Sequence, residues 1–318
     1  MKRELMIFSL TSSVELAEEV AALLNVKLSK SEICHFADGE MLARPIDNVR
    51  GKVVYIIQST SSPVSQRLME LLIFCDGLRN ANAEEINVVI PYYGFSRQDR
   101  IARVGEPITA KLVANLLATA GVSHVITVDL HTPQIQGFFS CPVDDLSPIS
   151  LFGKYYRDKL KDLGIRTEDV TVVSPDHGSI HRARDLASEL PLSTIAIIDK
   201  RRPAPNTAEV VNVVGDIKGK TCIITDDIID TAGTTIASIK TLYDHGAKNV
   251  LVSGTHGIFS GGAEDKLCDA NIKDLVVTNT IEQKHHFAHT ISIAPMIAGV
   301  IKASEEGSEV PDSWLSFY

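Results

Sequence analysis

The sequence predicts an α/β protein of two similar halves, each a mainly parallel sheet with helices on both faces. Three observations lead there. Apolar β-rich runs such as 52–58, 86–91 and 222–225 read as strands buried on both sides. These runs alternate with stretches of helical periodicity along the chain. The pattern VV-x-P-x-x-G occurs at 87–94 and again at 171–178, and the strand ending at Asp129 pairs with the one ending at Asp226 in the same order, which suggests a repeated plan.

Taken in order, residues 5–8 form the first strand. Ser12-Ser13-Val14-Glu15 offers a capping box, and Leu16, Val20, Leu23 and Leu24 share one face of the helix that follows. HFADGE at 35–40 reads as a polar turn around Gly39. The strand at 52–58 precedes a helix over 63–79 with Leu68, Leu71, Leu72, Cys75 and Leu78 on its apolar stripe. The strand at 86–91 runs into Tyr92-Tyr93-Gly94-Phe95 and a basic loop with Arg97, Arg100 and Arg103, closed by Gly105 and Pro107. Pro107 starts a helix carrying Leu112, Leu116 and Leu117, and Gly121 ends it. A strand at 124–128 then leads to Asp129-Leu130-His131-Thr132. Pro148 breaks the pattern before a helix at 152–163, so the domains are expected at 1–147 and 148–302, with a tail from about 303–318 against the first.

Bulk properties exclude several classes. The 318 residues are 44% hydrophobic and 22% charged, with no low-complexity tract. Net charge is −9, which argues against general affinity for nucleic acid or an anionic membrane. The cysteines at 34, 75, 141, 222 and 268 are odd in number, widely spaced and without a CxxC pair, so neither a disulfide frame nor a zinc cluster is expected. No long apolar run or signal-peptide core is present, and a cytoplasmic location is expected.

The chemistry concentrates in CIITDDIIDTAGTT at 222–235. A strand delivers the chain into adjacent carboxylates, and the small-residue turn Asp230-Thr231-Ala232-Gly233-Thr234 opens a helix. Such a turn lets backbone N–H groups and Thr hydroxyls converge on a phosphate at a positive helix end. Asp226 and Asp227 suit the hydroxyls of an attached sugar, since carboxylates accept hydrogen bonds from a neutral diol. Gly215 to Thr221 reads GxxxGKT, one residue short of a P-loop and ahead of a strand, and no GxGxxG is present. His285-His286-Phe287-Ala288-His289 lacks the Glu of a zinc-protease motif and reads as a solvated or partly packed cluster. Asp199 to Asn206, with Lys200, Arg201 and Arg202 before two prolines, reads as an exposed stiffened loop, the setting in which mobile cations serve phosphoryl chemistry. For His131, a metal-facing or phosphate-facing role stands beside a structural one on pattern alone.

FADGE, NVRGKVVYIIQST, NVVIPYYGFSRQDR, EPITAKL, VDLHTPQIQGFF, VVSPDHG, IIDKRRP and DDIIDTAGTT follow one another in an order that resembles the ribose-phosphate diphosphokinase family, also called phosphoribosyl-pyrophosphate synthetase, of the bacterial type. The resemblance implies two duplicated type I phosphoribosyltransferase-like domains. It implies Mg²⁺-dependent transfer of the β,γ-diphosphoryl group of ATP to the C1 hydroxyl of ribose 5-phosphate, giving phosphoribosyl pyrophosphate and AMP. Carried over by position, Lys200 and Arg202 are the catalytic cations. Phe36, Asp38, Gly39, Glu40, Arg97, Gln98 and Asp99 bind ATP. Asp226, Asp227, Asp230, Thr231, Ala232, Gly233 and Thr234, with Arg202, bind ribose 5-phosphate, and His131 and Asp176 approach the metal. A homo-oligomer, commonly a hexamer, and phosphate or ADP effectors are also implied.

The chain departs from the family pattern at several points. Val104-Gly105 replaces Ser-Arg, Ser179 stands for a second glycine, Gly257 for a proline, and Asn48, Asn80 and Asn82 fall where regulated members carry Ser, Arg and Ser. A non-catalytic regulatory subunit would keep the fold, but intact Lys200, Arg202, His131 and Asp176 oppose that reading. A salvage phosphoribosyltransferase would leave the HFADGE and RQDR segments unexplained.

Overall fold

The computed structural model describes residues 4–201 and 210–316. The chain forms two compact units, one holding residues up to Ser147 with 279–282 and 292 onward, the other Pro148–Thr278 with Gln283–Ile291.

In the first unit the order is β1 (Leu5–Ser9), α1 (Val14–Leu23), β2 (Leu28–Ser29), the hairpin β3 (Ser31–His35) and β4 (Met41–Pro45), β5 (Val53–Ile57), α2 (Val64–Asn80), β6 (Glu85–Ile90), α3 (Thr109–Thr119), β7 (His124–Val128) and β8 (Val143–Leu146). The sheet has the strand order β2-β1-β5-β6-β7-β8 and every pairing in it is parallel. Alternation along the strands sends Phe8, Val54, Ile56, Val88 and Ile90 against Leu71, Phe74 and Leu78 of α2 and Val113 and Leu117 of α3. The intervening residues Ile7, Tyr55, Ile57 and Val89 are equally buried and face the other side. β3 and β4 form a separate antiparallel pair.

The second unit contains α4 (Ile149–Asp162), β9 (Val170–Ser174), α5 (Ile180–Glu189), β10 (Thr194–Arg201), β11 (Val210–Val214), β12 (Thr221–Ile229), α6 (Gly233–Asp244), β13 (Asn249–Gly257), α7 (Ala263–Asp269), β14 (Asp274–Thr278) and β15 (His289–Ile291). Its sheet runs β11-β10-β9-β12-β13-β14-β15, parallel except for β10 against β11. Cys222 and Ile224 pack toward Ile239, Leu242 and Leu267, whereas Ile223 packs toward Phe152, Tyr156 and Leu186 on the opposite face. The chain then returns to the first unit as α8 (Ala294–Glu306), whose last turn receives the Tyr55 hydroxyl at Glu305 (3.3 Å). Among the described residues no helix is long and apolar enough to cross a membrane.

Several sequence expectations are corrected. The second unit does not run on to 302, because α8 and everything after Ile291 belong to the first. The tail beyond α8 also packs there: Leu315 bridges Leu146, and a Cβ on Gly299 would lie 2.3 Å from the Trp314 ring. The repeated plan is real but its register differs. β9 is the founding strand of its sheet and matches β1, while β12 matches β5, so 171–178 does not correspond to 87–94. VV-x-P describes any central parallel strand that ends in a loop, which is why it misaligns the halves.

The capping box at Ser12 to Glu15 does not form, because both hydroxyls turn to the neighbouring loop. Leu23, Leu112 and Leu116 are exposed, the buried stripes being Leu16, Ala17, Val20 and Ala21 on α1 and Ala110, Val113, Ala114 and Leu117 on α3. Asp199, Lys200 and Arg201 are strand residues of β10, not loop, since the backbone ladder with β11 runs through them.

One polar contact fixes α2 to the sheet. Glu70 is fully buried, and its carboxylate receives the Thr11 N–H (2.8 Å) and hydroxyl (2.6 Å) from the loop after β1, with Arg67 Nη1 3.6 Å away. Removing one member of a buried charged set leaves the others unpaired. Glu70→Ala is therefore expected to lower unfolding free energy by about 3 kcal/mol, and Glu70→Gln by less, in urea titrations.

Candidate functional site

In an open parallel sheet the ligand crevice lies beyond the carboxyl ends of the strands, where successive crossovers leave in opposite directions. In the second unit that point falls between β9 and β12. From β9 the chain goes to β10 on one side, and from β12 to β13 on the other. The loop 175–179 and the turn 230–234 flank the crevice.

β12 carries Asp226, half-buried, and Asp227, buried. Asp226 Oδ1 accepts the Asp227 N–H (3.0 Å) and the Ser179 hydroxyl (3.2 Å), while Arg182 Nη2 of α5 stands 3.9 Å from Asp227 Oδ2. Loss of water, then the neighbouring Asp227, push the Asp226 carboxyl well above the usual carboxylate range; Arg182 opposes this and Asp176 adds to it.

Beyond the strand, Ala232 adopts a left-handed backbone (φ 59°) as the N-cap of α6. The first helical bond runs from the Ile236 N–H to Ala232 O (2.8 Å), so the N–H groups of Gly233, Thr234 and Thr235 stand ahead of the ladder at the positive end of the helix. Thr231, Gly233 and Thr234 are exposed. Ser260 donates to Asp230 Oδ1, and Lys266 Nζ holds the carbonyls of Thr231 (3.1 Å) and Gly261 (3.2 Å). The result is an exposed, braced anion turn beside an acidic pair, suited to a phosphate ester of a polyol.

Across the crevice, Asp176 Oδ1 accepts the N–H groups of Gly178 (2.8 Å) and Ser179 (3.0 Å). His177 Nε2 donates to the buried Asp199 Oδ1 (3.0 Å), one residue before Lys200. The backbone of Lys200 pairs with Val211. Arg202 lies outside the described residues.

The first unit holds the other expected residues. Phe36, Asp38, Gly39 and Glu40 form the tip of the β3–β4 hairpin, closed by Phe36 N–H to Glu40 O (2.8 Å) and by Asp38 Oδ1 receiving the Glu40 N–H (3.0 Å). The tip is exposed, Phe36 at 52%. Gly39 has φ 95°, which a side chain disfavours. Arg97 and Gln98 are exposed on the loop after β6; Thr109 donates to Gln98, and Thr132 donates to Asp99 Oδ2 (2.8 Å). His131 follows Leu130, whose N–H is received by the buried Asp145 (3.2 Å). His131 thus belongs to one unit and Asp176 to the other. Among the described residues no group of three or more His, Cys, Asp or Glu is arranged to hold a metal. His285, His286 and His289 are exposed, with His289 stacked on Tyr155 (4.8 Å) and His285 paired with Glu264 (3.0 Å), which agrees with a solvated, partly packed cluster.

Sequence reasoning missed Arg182, Lys266 and Ser260 in this site. Each acts on a residue far along the chain, and only the position of Arg182 after PDHG offered a signal.

The comparisons agree with one another. A family model for the N-terminal domain of ribose phosphate pyrophosphokinase matches residues 5–121, and one for the phosphoribosyl synthetase-associated domain matches 196–310. The chain is 50% identical over 311 residues to a ribose-phosphate pyrophosphokinase of Bacillus subtilis (strain 168), covering 96% of each. It is 50% identical over 309 residues to that of Corynebacterium ammoniagenes, covering 96% of this chain and 95% of the relative. The crystal structure of phosphoribosylpyrophosphate synthetase from Mycobacterium smegmatis superimposes with a TM-score of 0.89 at 39% identity, covering 96% of this chain and all of that one.

The raised Asp226 carboxyl gives a pH-dependent stability. An acid that holds its proton more tightly folded than unfolded stabilises the fold at low pH, and the contribution is lost as pH rises from the unfolded value through the raised one. Asp226→Asn is expected to stabilise the ligand-free protein at neutral pH by on the order of 1 kcal/mol. Thermal melts should show no gain at about pH 3, where the carboxyl is protonated in both states.

Proposed function

The chain belongs to the ribose-phosphate pyrophosphokinase family, and from that premise we propose that it transfers the β,γ-diphosphoryl group of ATP to the C1 hydroxyl of ribose 5-phosphate, giving phosphoribosyl pyrophosphate and AMP for nucleotide biosynthesis. The observation that carries this reading is the braced anion turn set beside an acidic pair at the β9/β12 crevice. Asp230 to Thr234 hold the 5-phosphate through backbone N–H groups and hydroxyls. Asp226 and Asp227 accept hydrogen bonds from the ribose hydroxyls, which a diol supplies without adding charge.

On the donor side, the exposed Phe36 and the carboxylates of Asp38 and Glu40 suit an adenine base, and Arg97, Gln98 and Asp99 suit the rest of ATP. The hairpin tip serves a neighbouring subunit in this proposal, which makes the enzyme a homo-oligomer, a hexamer being the expected form. Lys200 and Arg202 bind the oxygens on which charge develops as the diphosphoryl group moves.

The residues present fit magnesium. Asp226, Asp227 and Asp176 are hard oxygen donors, burial and then the neighbouring carboxylates lifting the Asp226 carboxyl, and Mg²⁺ takes one or two carboxylates with substrate phosphates and water. Asp176 and His131 are the proposed metal-side residues. When bound, the ion supplies charge neutralisation of the phosphate oxygens. Asp176 is kept in place for this by the Gly178 and Ser179 N–H groups.

Release of AMP from ATP that requires ribose 5-phosphate and is abolished by EDTA tests the proposal, and its absence from the purified chain removes it. Lys200→Ala and Arg202→Ala are expected to lower kcat by about 100-fold or more while changing either KM much less. Wild-type turnover in the double variant would take these two cations out of the mechanism.

Regulation by phosphate or ADP is expected to be weak. Arg50 is engaged by the Asn82 carboxamide oxygen at 2.9 Å, and Asn80 donates to Asp76 (2.9 Å), so this region offers fewer donors to an anion than one with arginine at 80. Titrating phosphate and ADP into the same assay checks this; strong phosphate activation with non-competitive ADP inhibition would contradict it.

A further inference from the structure

Ser179 occupies the N-cap position of α5, where a serine hydroxyl ordinarily accepts an N–H of the first turn. Here it caps nothing. Its Oγ donates to Asp226 Oδ1 (3.2 Å) on the far side of the crevice, and its N–H donates to Asp176 Oδ1 (3.0 Å). At 5% exposure the hydroxyl has little competition from bulk water. The same Asp226 oxygen takes the Asp227 N–H (3.0 Å), so two donors from different elements set the rotation of that carboxylate.

We propose that Ser179 is a positioning residue for ribose 5-phosphate: its hydroxyl fixes Asp226 in the orientation that receives the sugar hydroxyls and joins that carboxylate to the loop carrying Asp176. The proposal rests on the assignment of Asp226 to the sugar made above. Orientation of this kind serves ground state and transition state alike, so its loss raises KM and leaves kcat in place. The ATP side is not touched.

The test is calorimetric binding of ribose 5-phosphate, with steady-state constants for both substrates from AMP release, in the wild type, Ser179→Ala and Ser179→Thr. Loss of this one hydrogen bond is expected to raise Kd and KM for ribose 5-phosphate about three- to ten-fold in Ser179→Ala, with kcat and the KM for ATP unchanged. Ser179→Thr, which keeps the hydroxyl, is expected to restore wild-type binding. Wild-type affinity in Ser179→Ala overturns the proposal, as does an equal loss for both substrates accompanied by a lower Tm, the mark of a merely structural brace. A wild type that binds ribose 5-phosphate but releases no AMP removes the diphosphoryl-transfer reading, while the binding ratio still decides the role of Ser179. A wild type with no affinity for ribose 5-phosphate removes both.

Discussion

Asp226 and Asp227 put like charges on consecutive residues of a central, otherwise apolar strand, and the second unit is fitted around that conflict. A buried carboxylate without partners costs several kcal/mol, so such a pair persists only where donors are supplied. α5 brings Arg182 to Asp227, the N-terminus of α5 brings Ser179 to Asp226, and the backbone of Asp227 adds an N–H. These donors do not offset the burial, so that loss of water, and then the neighbouring Asp227, keep the Asp226 carboxyl well above its ordinary range. The pair is thus a set of carboxylate acceptors beside the anion turn, the place proposed for the sugar phosphate.

The same plan in the first unit is resolved the other way. Its founding strands β1 and β5 also flank a switch point, yet Ser12 donates to Gln58 Oε1 (2.8 Å) and to Ser59 O (2.6 Å), and Ser13 accepts the Ser59 N–H (2.9 Å). Ser12, Ser13, Gln58 and Ser59 are all buried. The loops that would form a crevice there are sewn together by their own hydroxyls. One unit spends its polar side chains on closure, and the other leaves them facing outward. In the proposed reaction the second unit is the one suited to the acceptor sugar, and the exposed hairpin tip and β6 loop of the first are the segments proposed for the donor.

Much of this was legible in the sequence, for a reason that also sets the limit. Strand runs such as 124–128 and the helix over 64–80 show themselves through local periodicity, and the Asp-Thr-Ala-Gly-Thr turn shows itself because anion binding by a helix end is a local property. The hairpin β3–β4 was missed, since Ser31 to His35 and Met41 to Pro45 are half-polar and form no core strand. Ser179 was visible as an unusual residue but not as a donor to Asp226, 47 positions away, and Lys266 lies 35 positions from the carbonyl it holds. Contacts of that separation are decided by which strands become neighbours, and the repeat was aligned to the wrong strand.

Correct alignment of the two units also explains why the chain comes back. In the second unit α4 precedes the founding strand β9 and packs beside α5. In the first unit the corresponding place beside α1 is taken by α8, which follows the second unit in the sequence. Ser292 to Glu19, the Tyr55 hydroxyl to Glu305 (3.3 Å) and Ser147 N–H to Trp314 O (2.9 Å) fasten the returning segment to that unit. A parallel sheet buries both faces only if each is covered, and the first unit is completed by a helix drawn from beyond the second. Reading 148–302 as one domain assumed that each unit is a contiguous segment; coverage of the first sheet requires that it is not.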